Sequence, residues 1–342
     1  MACTPVLYTC AMARRLAEVA QHVGVSEATV SRVLNNKPGI SEATRAAVLS
    51  ALDVLGYERP TKLRGERARL VGIVLPEMQN PIFPGFAEVM AGALAKKGFT
   101  PVLCARTVDG VAESEYITIL LEQNVSGVIF ASGLYQQTRA AHEHYARLRE
   151  RGLPTVLINA SADGLAFPRV CTDEEHAVEQ AYAHLTALGH ERIGLVLGPP
   201  DHVPSARKLA AYRAARKGAT ELVAHGALTM EEGHAAAARL VAEGATGLIC
   251  ASDVLAIGAM RAVRRAGKQV PADVSVVGFD DSGLMAFTDP PLTTVRQPIV
   301  AMGQAAVALL LSQIDAEQVP DDELLFEPEL VVRASTGPAP TT

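Results

Sequence analysis

Leu16-Ala-Glu-Val-Ala-Gln-His-Val-Gly-Val-Ser-Glu-Ala-Thr-Val-Ser-Arg-Val-Leu-Asn35 is the stretch from which the rest of the chain can be read. Leu16, Val19 and Ala20 fall on one face of a helix, and the small Ala20 lets a second helix cross closely. Gly24 comes next, at a point where a tight turn needs positive φ. Ser26 then sits at the N-cap of a second helix, its oxygen placed to accept from the backbone N–H of Ala28 or Thr29. Val25, Val30, Val33 and Leu34 give that helix a buried side, which leaves Glu27, Ala28, Ser31 and Arg32 pointing outward. The pattern predicts a helix-turn-helix, whose second helix offers its N-terminal residues to the major groove of DNA. Arg32 suits guanine O6 and N7, Glu27 suits cytosine N4, and Ala28 suits a thymine methyl. Ser26, Thr29, Ser31 and Asn35 suit phosphate oxygens, contacts that position a helix without reading sequence. Ser41-Glu-Ala-Thr-Arg45 caps a third helix that closes this small core with Val48, Leu52 and Leu55.

Charge separates this head from the larger, C-terminal part of the chain. Residues 12–67 carry nine Lys/Arg against six Asp/Glu, residues 1–11 carry none, and the remainder carries 22 against 31. A basic head on an acidic body implies that the head alone meets a polyanion. The whole chain has 342 residues, 49% of them hydrophobic, enough apolar material to exclude a disordered protein. Its five cysteines are scattered with no Cys-x-x-Cys pair, which supports neither a disulfide framework nor a zinc site and fits a reducing cytoplasm. No apolar run has the length of a membrane span. Arg14 and Arg15 follow the apolar start rather than precede it, the wrong polarity for a secretory signal. Residues 1–11 read as a disordered extension, with Met12 a possible second start.

Beyond residue 69 short β-rich runs (Leu70–Leu75, Val125–Phe130, Thr155–Ile158, Ile193–Leu197, Leu248–Cys250, Val274–Phe279) alternate with Ala-rich helical stretches. Those stretches are Phe83–Lys97, Glu174–Leu188, Ala206–Lys217, Glu231–Glu243 and Asp253–Ala266. Apolar strands separated by helices predict parallel sheets covered on both faces. There are too many strand candidates for one comfortable open sheet, so the expected fold is α/β, with two doubly wound lobes and a ligand crevice at the carboxyl ends of their strands. The expected organisation is a helix-turn-helix domain at 12–57, a hinge linker at 58–68 and a core at 69–335. Within that core an N-lobe covers about 69–160 and 293–318, and a C-lobe about 162–290 and 320–335. A Pro-rich tail at 336–342 is expected to be disordered, and it contains no heptad seam.

Thr29-Val-Ser-Arg-Val-Leu-Asn35, Ser41-Glu-Ala-Thr-Arg45, Leu55-Gly-Tyr57 and the texture of the body resemble the LacI family of transcriptional regulators, over residues 14 to 335. Within that family the chain is most similar to the maltose repressors of actinobacteria, on Arg59-Pro-Thr-Lys-Leu-Arg-Gly-Glu-Arg67 and Gly198–Leu209. The resemblance implies a homodimer that reads a near-palindromic operator, under control of a small sugar. It also implies a linker helix with Leu63 as a minor-groove wedge, although the spacing from Tyr57 to Leu63 is about three residues short of the family pattern; the alternative is a flexible tether whose Arg59, Lys62, Arg64 and Arg67 hold phosphates by charge.

In the core the resemblance points to Asn80 and Phe83 in the first cleft loop. It adds the polar set Asn159, Arg207 or Lys208, Asp253, Asp280 and Gln297, with Phe279 as a second aromatic. Planar polar side chains pair with adjacent hydroxyls while aromatic faces stack on a sugar ring. The family has Arg followed three residues later by Gly where this chain has Lys208 and Ala211, so which cation reaches ligand stays open at this level. Ordinary roles compete throughout: Ser252 or Asp253 as a helix cap, one of Asp280 and Asp281 as a turn residue, Gln297 as a hinge brace. No phosphate loop, dinucleotide fingerprint, nucleophile elbow or zinc-protease motif is present, so neither an enzyme nor a cofactor is expected. His142-Glu-His144 lies in a polar stretch, 138–151, and reads as a solvated helix face rather than a metal site. The rival readings are a regulator that uses its ligand as corepressor and a cytoplasmic sugar-binding protein with no DNA role.

Overall fold

The computed structural model describes residues 16–34, 37, 39–55, 69–106, 110–216 and 218–341, apart from the side chain of Asp53. The chain divides into a helical head that ends at Arg69 and a larger body that starts at Leu70.

In the head, residues 16–23 form α1, Glu27–Leu34 form α2 and Glu42–Val54 form α3. Gly24 turns the chain with φ +73° and donates its N–H to Ala20 O at 2.9 Å, closing α1. Val19, Ala20, Val30, Val33, Val48, Ala51 and Leu52 fill the centre, and Leu16, Val25 and Leu55 pack at its margin. The apolar spacing read from the sequence is therefore the packing that holds three short helices together, none of which is long enough to be stable alone.

The body contains two six-stranded sheets. The N-lobe sheet runs β11-β5-β4-β3-β1-β2, built from β1 (Leu70–Leu75), β2 (Thr100–Ala105), β3 (Gly127–Phe130), β4 (Thr155–Ile158), β5 (Arg169–Thr172) and β11 (Glu323–Phe326). Every pairing in it is parallel. The C-lobe sheet runs β12-β10-β9-β8-β6-β7, from β6 (Ile193–Leu197), β7 (Leu222–His225), β8 (Gly247–Cys250), β9 (Ser275–Asp280), β10 (Thr293–Arg296) and β12 (Glu329–Val331). Only β12 is antiparallel there, against β10. Helices α4 (Ile82–Lys96), α5 (Glu113–Glu122) and α6 (Glu143–Glu150) join the N-lobe strands. Helices α7 (Glu174–Ala187), α8 (Val203–Ala215), α9 (Met230–Ala242) and α10 (Asp253–Arg265) join those of the C-lobe. Residues of β1, β3, β6, β8 and β9 are almost all buried, which explains why these strands read as unbroken apolar runs rather than alternating ones.

Three crossings connect the lobes, and they lie elsewhere than expected. The chain leaves the N-lobe after β5 rather than near 160–162, because the short run Arg169–Thr172 completes a fifth N-lobe strand. It returns after β10, since Thr293–Arg296 pairs with β9 instead of crossing. Helix α11 (Ile299–Ile314) then packs into the N-lobe core, β11 joins that sheet, and β12 goes back to the C-lobe. The tail also departs from expectation. Ser335 is fully buried and donates to Val276 O at 2.6 Å, Gly337 N donates to Ser275 Oγ at 3.0 Å, and Ala339 N donates to Leu188 O at 2.8 Å. Its prolines forbid a helix but leave extended backbone free to dock. Residues 1–11, the linker 58–68 and Met12 lie outside the described residues.

Candidate functional site

The surface of the head that the sequence assigns to DNA lies on α2. Ser26 Oγ accepts from Thr29 N at 3.1 Å and lies 2.9 Å from the Thr29 hydroxyl, so the cap is formed as read and the two hydroxyls stand together at the helix start. Ser26, Glu27, Ala28 and Arg32 are exposed, while Thr29 and Ser31 are half-buried at the rim. Val30 and Val33 are fully buried on the opposite side. One helix thus carries an anchored apolar face and an outward set of donors, acceptors and a methyl at its N-terminal turn, where backbone N–H groups also favour anions. Asn35 and Leu63 lie outside the described residues.

The second site is built at the carboxyl ends of strands in both lobes. Asn159 directly follows β4 with φ +68°, a left-handed conformation that asparagine tolerates, and its N–H is held by Val170 O at 2.7 Å. That backbone anchor leaves the side chain free, and the buried Asn159 Oδ1 has no hydrogen-bond partner among the described protein groups. Asp280 ends β9, 5% exposed. Its Oδ1 accepts from Gln297 Nε2 at 2.6 Å and Asn80 bonds to its carboxyl, whereas Oδ2 is buried without a partner. Burial and the nearby Asp253 push the Asp280 carboxyl well above the ordinary range, while its bond from Gln297 and the charge of Lys208 work against this. Gln297, in the crossing after β10, also accepts from Thr172 Oγ1 at 2.7 Å, so one amide ties β5 of the N-lobe to β9 of the C-lobe. Asn80 turns its own Oδ1 to Ile82 N at 3.3 Å, fixing the start of α4. Phe83 is half-buried against the N-lobe core. A recess of about 460 Å³ opens against Asp280 and Gln297, walled by Pro81, Ile82, Pro298 and the first turn of α11, within the range of small-molecule clefts.

Lys208, on α8, is the cation of this site. Its Nζ pairs with the buried Glu174 and sits 3.8 Å from the centre of the Phe279 ring. Complete burial lowers its ammonium to about 7, against the opposing pull of Asp280. Phe279 therefore presents its ring to the ammonium, and its expected role as a sugar-stacking face is corrected to that of a cation shelf. Arg207, the other candidate cation, has both its terminal nitrogens engaged by Glu323, at 2.9 and 2.8 Å. Asp253 is fully buried and serves as a brace. Ser252 caps α10 by accepting from Leu255 N at 3.2 Å. The Asp253 carboxylate accepts from Ser282 N at 2.9 Å, Ser282 Oγ at 3.2 Å and Thr294 Oγ1 at 2.6 Å. Asp281, the neighbour of Asp280, holds Arg296 at 2.7 Å and Arg333 at 2.6 Å, more than the turn role allowed for one of the pair. Sequence reasoning missed Glu174 and Thr172, because Thr-Asp-Glu-Glu reads as a helix start and Asp173 does serve as that cap, accepting from His176 N at 3.0 Å.

His142-Glu-His144 is not a solvated face. His144 is 8% exposed and its Nε2 lies 3.1 Å from Oε1 of the buried Glu113, which Tyr145 also donates to. His142 Nε2 lies 3.0 Å from Leu134 O. Among the described residues no cluster of three metal-binding side chains occurs, and no helix is long and apolar enough to cross a membrane.

Comparison with known proteins decides what these two sites belong to. Residues 15–60 match the model of bacterial regulatory proteins of the lacI family, and residues 182–336 match that of periplasmic binding protein-like domains. The HTH-type transcriptional regulator reg1 of Streptomyces lividans is 51% identical over 339 residues, 96% of this chain and 98% of that protein. The chain belongs to the LacI family of transcriptional regulators. Another member, the regulator MalR of Streptomyces coelicolor, is 50% identical over 338 residues, again 96% and 98% of the two chains. Among solved structures of this family, the regulator CelR in complex with cellobiose is 33% identical, covering 94% of this chain and 99% of its own with a TM-score of 0.70. The lac repressor dimer bound to operator and the anti-inducer ONPF is 28% identical, covering 93% and 98% at a TM-score of 0.70. This LacI-family chain is accordingly a DNA-binding transcriptional repressor with a helix-turn-helix head and a binding-protein-like core, and its relatives are regulators rather than enzymes.

Proposed function

We propose that this LacI-family protein is a cytoplasmic homodimer whose two α2 helices read the halves of a near-palindromic operator, and that maltose or a short maltodextrin in the core cleft acts as inducer. The observation that carries the ligand reading is the pair of buried, unpartnered oxygens, Asn159 Oδ1 and Asp280 Oδ2, in a site that also holds Lys208. A buried polar group without a hydrogen-bond partner costs about 1–3 kcal/mol, and a ligand rich in hydroxyls, which donate and accept, removes that cost. A neutral glucoside satisfies both oxygens without adding charge to the site. The names of two relatives agree with this choice, since MalR is a regulator at 50% identity and CelR was solved with cellobiose.

Arg32, Glu27 and Ala28 read bases; Ser26, Thr29, Ser31 and Asn35 hold phosphates; Leu63 of each protomer wedges the central step. Asn80, Asn159, Lys208, Asp280 and Gln297 bind the sugar, with Phe83 as wall. Gln297 lies in a crossing between the lobes and bonds both Thr172 of β5 and Asp280 of β9, so a ligand that bonds Asp280 and Gln297 has different affinities for different lobe arrangements. That difference is the whole of the allosteric free energy, about 1–3 kcal/mol or 5- to 150-fold in operator affinity. A gel-shift titration on the chain's own promoter region, with and without maltose and maltotriose, tests the reading. Loss of the shifted complex with sugar supports an inducer. A gain assigns the ligand as corepressor, and no change with either sugar removes both from the account.

A further inference from the structure

Outside the ligand groups, one charged cluster spans the two lobes. Glu323 lies on β11, opposite Arg169 of β5 in the N-lobe sheet. Arg207 reaches it from α8 of the C-lobe, with Nη1 2.9 Å from Oε2 and Nη2 2.8 Å from Oε1, the two-pronged geometry that orients as well as attracts. Arg169 Nε donates to Oε1 at 3.2 Å, and its other arm donates to Leu165 O at 3.2 Å, so the carboxylate is held from both sides. The Glu323 side chain is 21% exposed and its carboxyl is held below the ordinary range, first by the Arg207 bond. Arg207 and Lys208 are consecutive on α8, so fixing one guanidinium fixes the rotation of the helix that delivers the ammonium to Glu174 and the Phe279 ring.

We propose that Glu323 is a positioning residue for ligand recognition, which clamps Arg207 across the lobes and thereby holds Lys208 in its place in the cleft. The proposal rests on the cleft reading above and adds to it a residue that touches no ligand. An isolated surface ion pair would contribute little, but this one is bidentate, shared by two arginines and placed at the start of β11. Its loss loosens α8 relative to the N-lobe rather than unfolding either sheet, because Ala211 and Tyr212 of α8 keep their core contacts and β11 keeps its pairing with β5.

Calorimetric titration of maltose and maltotriose into the purified full-length protein tests the clamp, using wild type, Glu323→Gln, Arg207→Gln, the double variant and Glu323→Asp. Glu323→Gln and Arg207→Gln should each weaken sugar binding about 5- to 20-fold, and the double variant should be no weaker than either, because both remove one interaction. Glu323→Asp should recover to within about threefold, and raising salt should weaken binding in wild type more than in Glu323→Gln. Wild-type affinity in Glu323→Gln, or losses that multiply in the double variant, would overturn the proposal. Should wild type bind neither sugar, the ligand reading fails and hydrogen exchange decides the clamp separately. Faster exchange across 203–215 in both single variants with 230–242 unchanged supports it, and exchange equal to wild type overturns it.

Discussion

Arg32 and Asp280 show how much of the function is concentrated in single side chains. Arg32 projects from the exposed side of a helix whose other side is locked by Val30 and Val33, so truncating it would remove the proposed base contacts without touching the head's core. Arg32→Ala should therefore lower operator affinity by about 1–3 kcal/mol and relax one base position, leaving sugar binding unchanged. Binding-site selection on the purified variant checks this, and an unaltered consensus removes Arg32 from the reading set. Asp280 is the opposite case, a residue that destabilises the molecule it serves. Its raised carboxyl means that the folded state holds a proton the unfolded chain releases from about pH 4 upward. The stability linked to Asp280 is thus full in acid and lost as pH rises. Asp280→Asn keeps an acceptor for Gln297 and carries no charge, so it should lose less stability than wild type between pH 5 and 8 while binding sugar at least tenfold more weakly. Denaturant unfolding at several pH values measures the first effect and calorimetry the second; parallel stability profiles would contradict this account of the site. Lys208 works in the other direction: its ammonium, lowered to about 7, makes the fold regain stability as pH rises from about 7 toward the unfolded value near 10.4.

At the scale of elements, capping and close packing set the tolerances. Ser26→Ala removes the acceptor for Thr29 N and should cost the head about 0.5–2 kcal/mol, visible as a lower melting point of the head alone and weaker operator binding, with the body unaffected. Gly258 lets α10 lie against α9: a Cβ there would stand 2.1 Å from Met230 O and 2.7 Å from His234 N. Gly258→Ala forces backbone apart and should destabilise the C-lobe by about 1–3 kcal/mol in denaturant unfolding, without altering the head. Much of this architecture was legible in the sequence because it obeys local rules. The head was read from two caps, one turn glycine and the spacing of its apolar residues, and the strands β1, β4 and β6 from unbroken apolar runs. What escaped were features fixed by non-local pairing. The short β5 declares no pattern of its own and becomes a strand only between β4 and β11. Asp253 and Arg207 stood in the right neighbourhood, but which way each carboxylate or guanidinium is turned depends on Ser282, Thr294 and Glu323, 29 to 116 residues away along the chain. The docked tail was misread for the same reason, since its donors and acceptors are met by Ser275, Val276 and Leu188.

For the whole molecule, a basic reading head and an acidic sensing core are joined by a segment rich in arginine and lysine, and the function is the free-energy coupling between them. Phosphate contacts give operator affinity a steep dependence on salt, whereas the binding of a neutral sugar in the cleft depends on it far less, through the Arg207–Glu323 pair alone. The measurement that reaches the central claim most directly is fluorescence anisotropy of a labelled promoter-region duplex titrated with the purified protein, at several salt concentrations, with and without maltose. The account predicts tight, sequence-selective binding that weakens steeply with salt and falls about 5- to 150-fold when maltose is added. Binding that is equally strong to scrambled duplex, or absent even in dilute buffer, would contradict it.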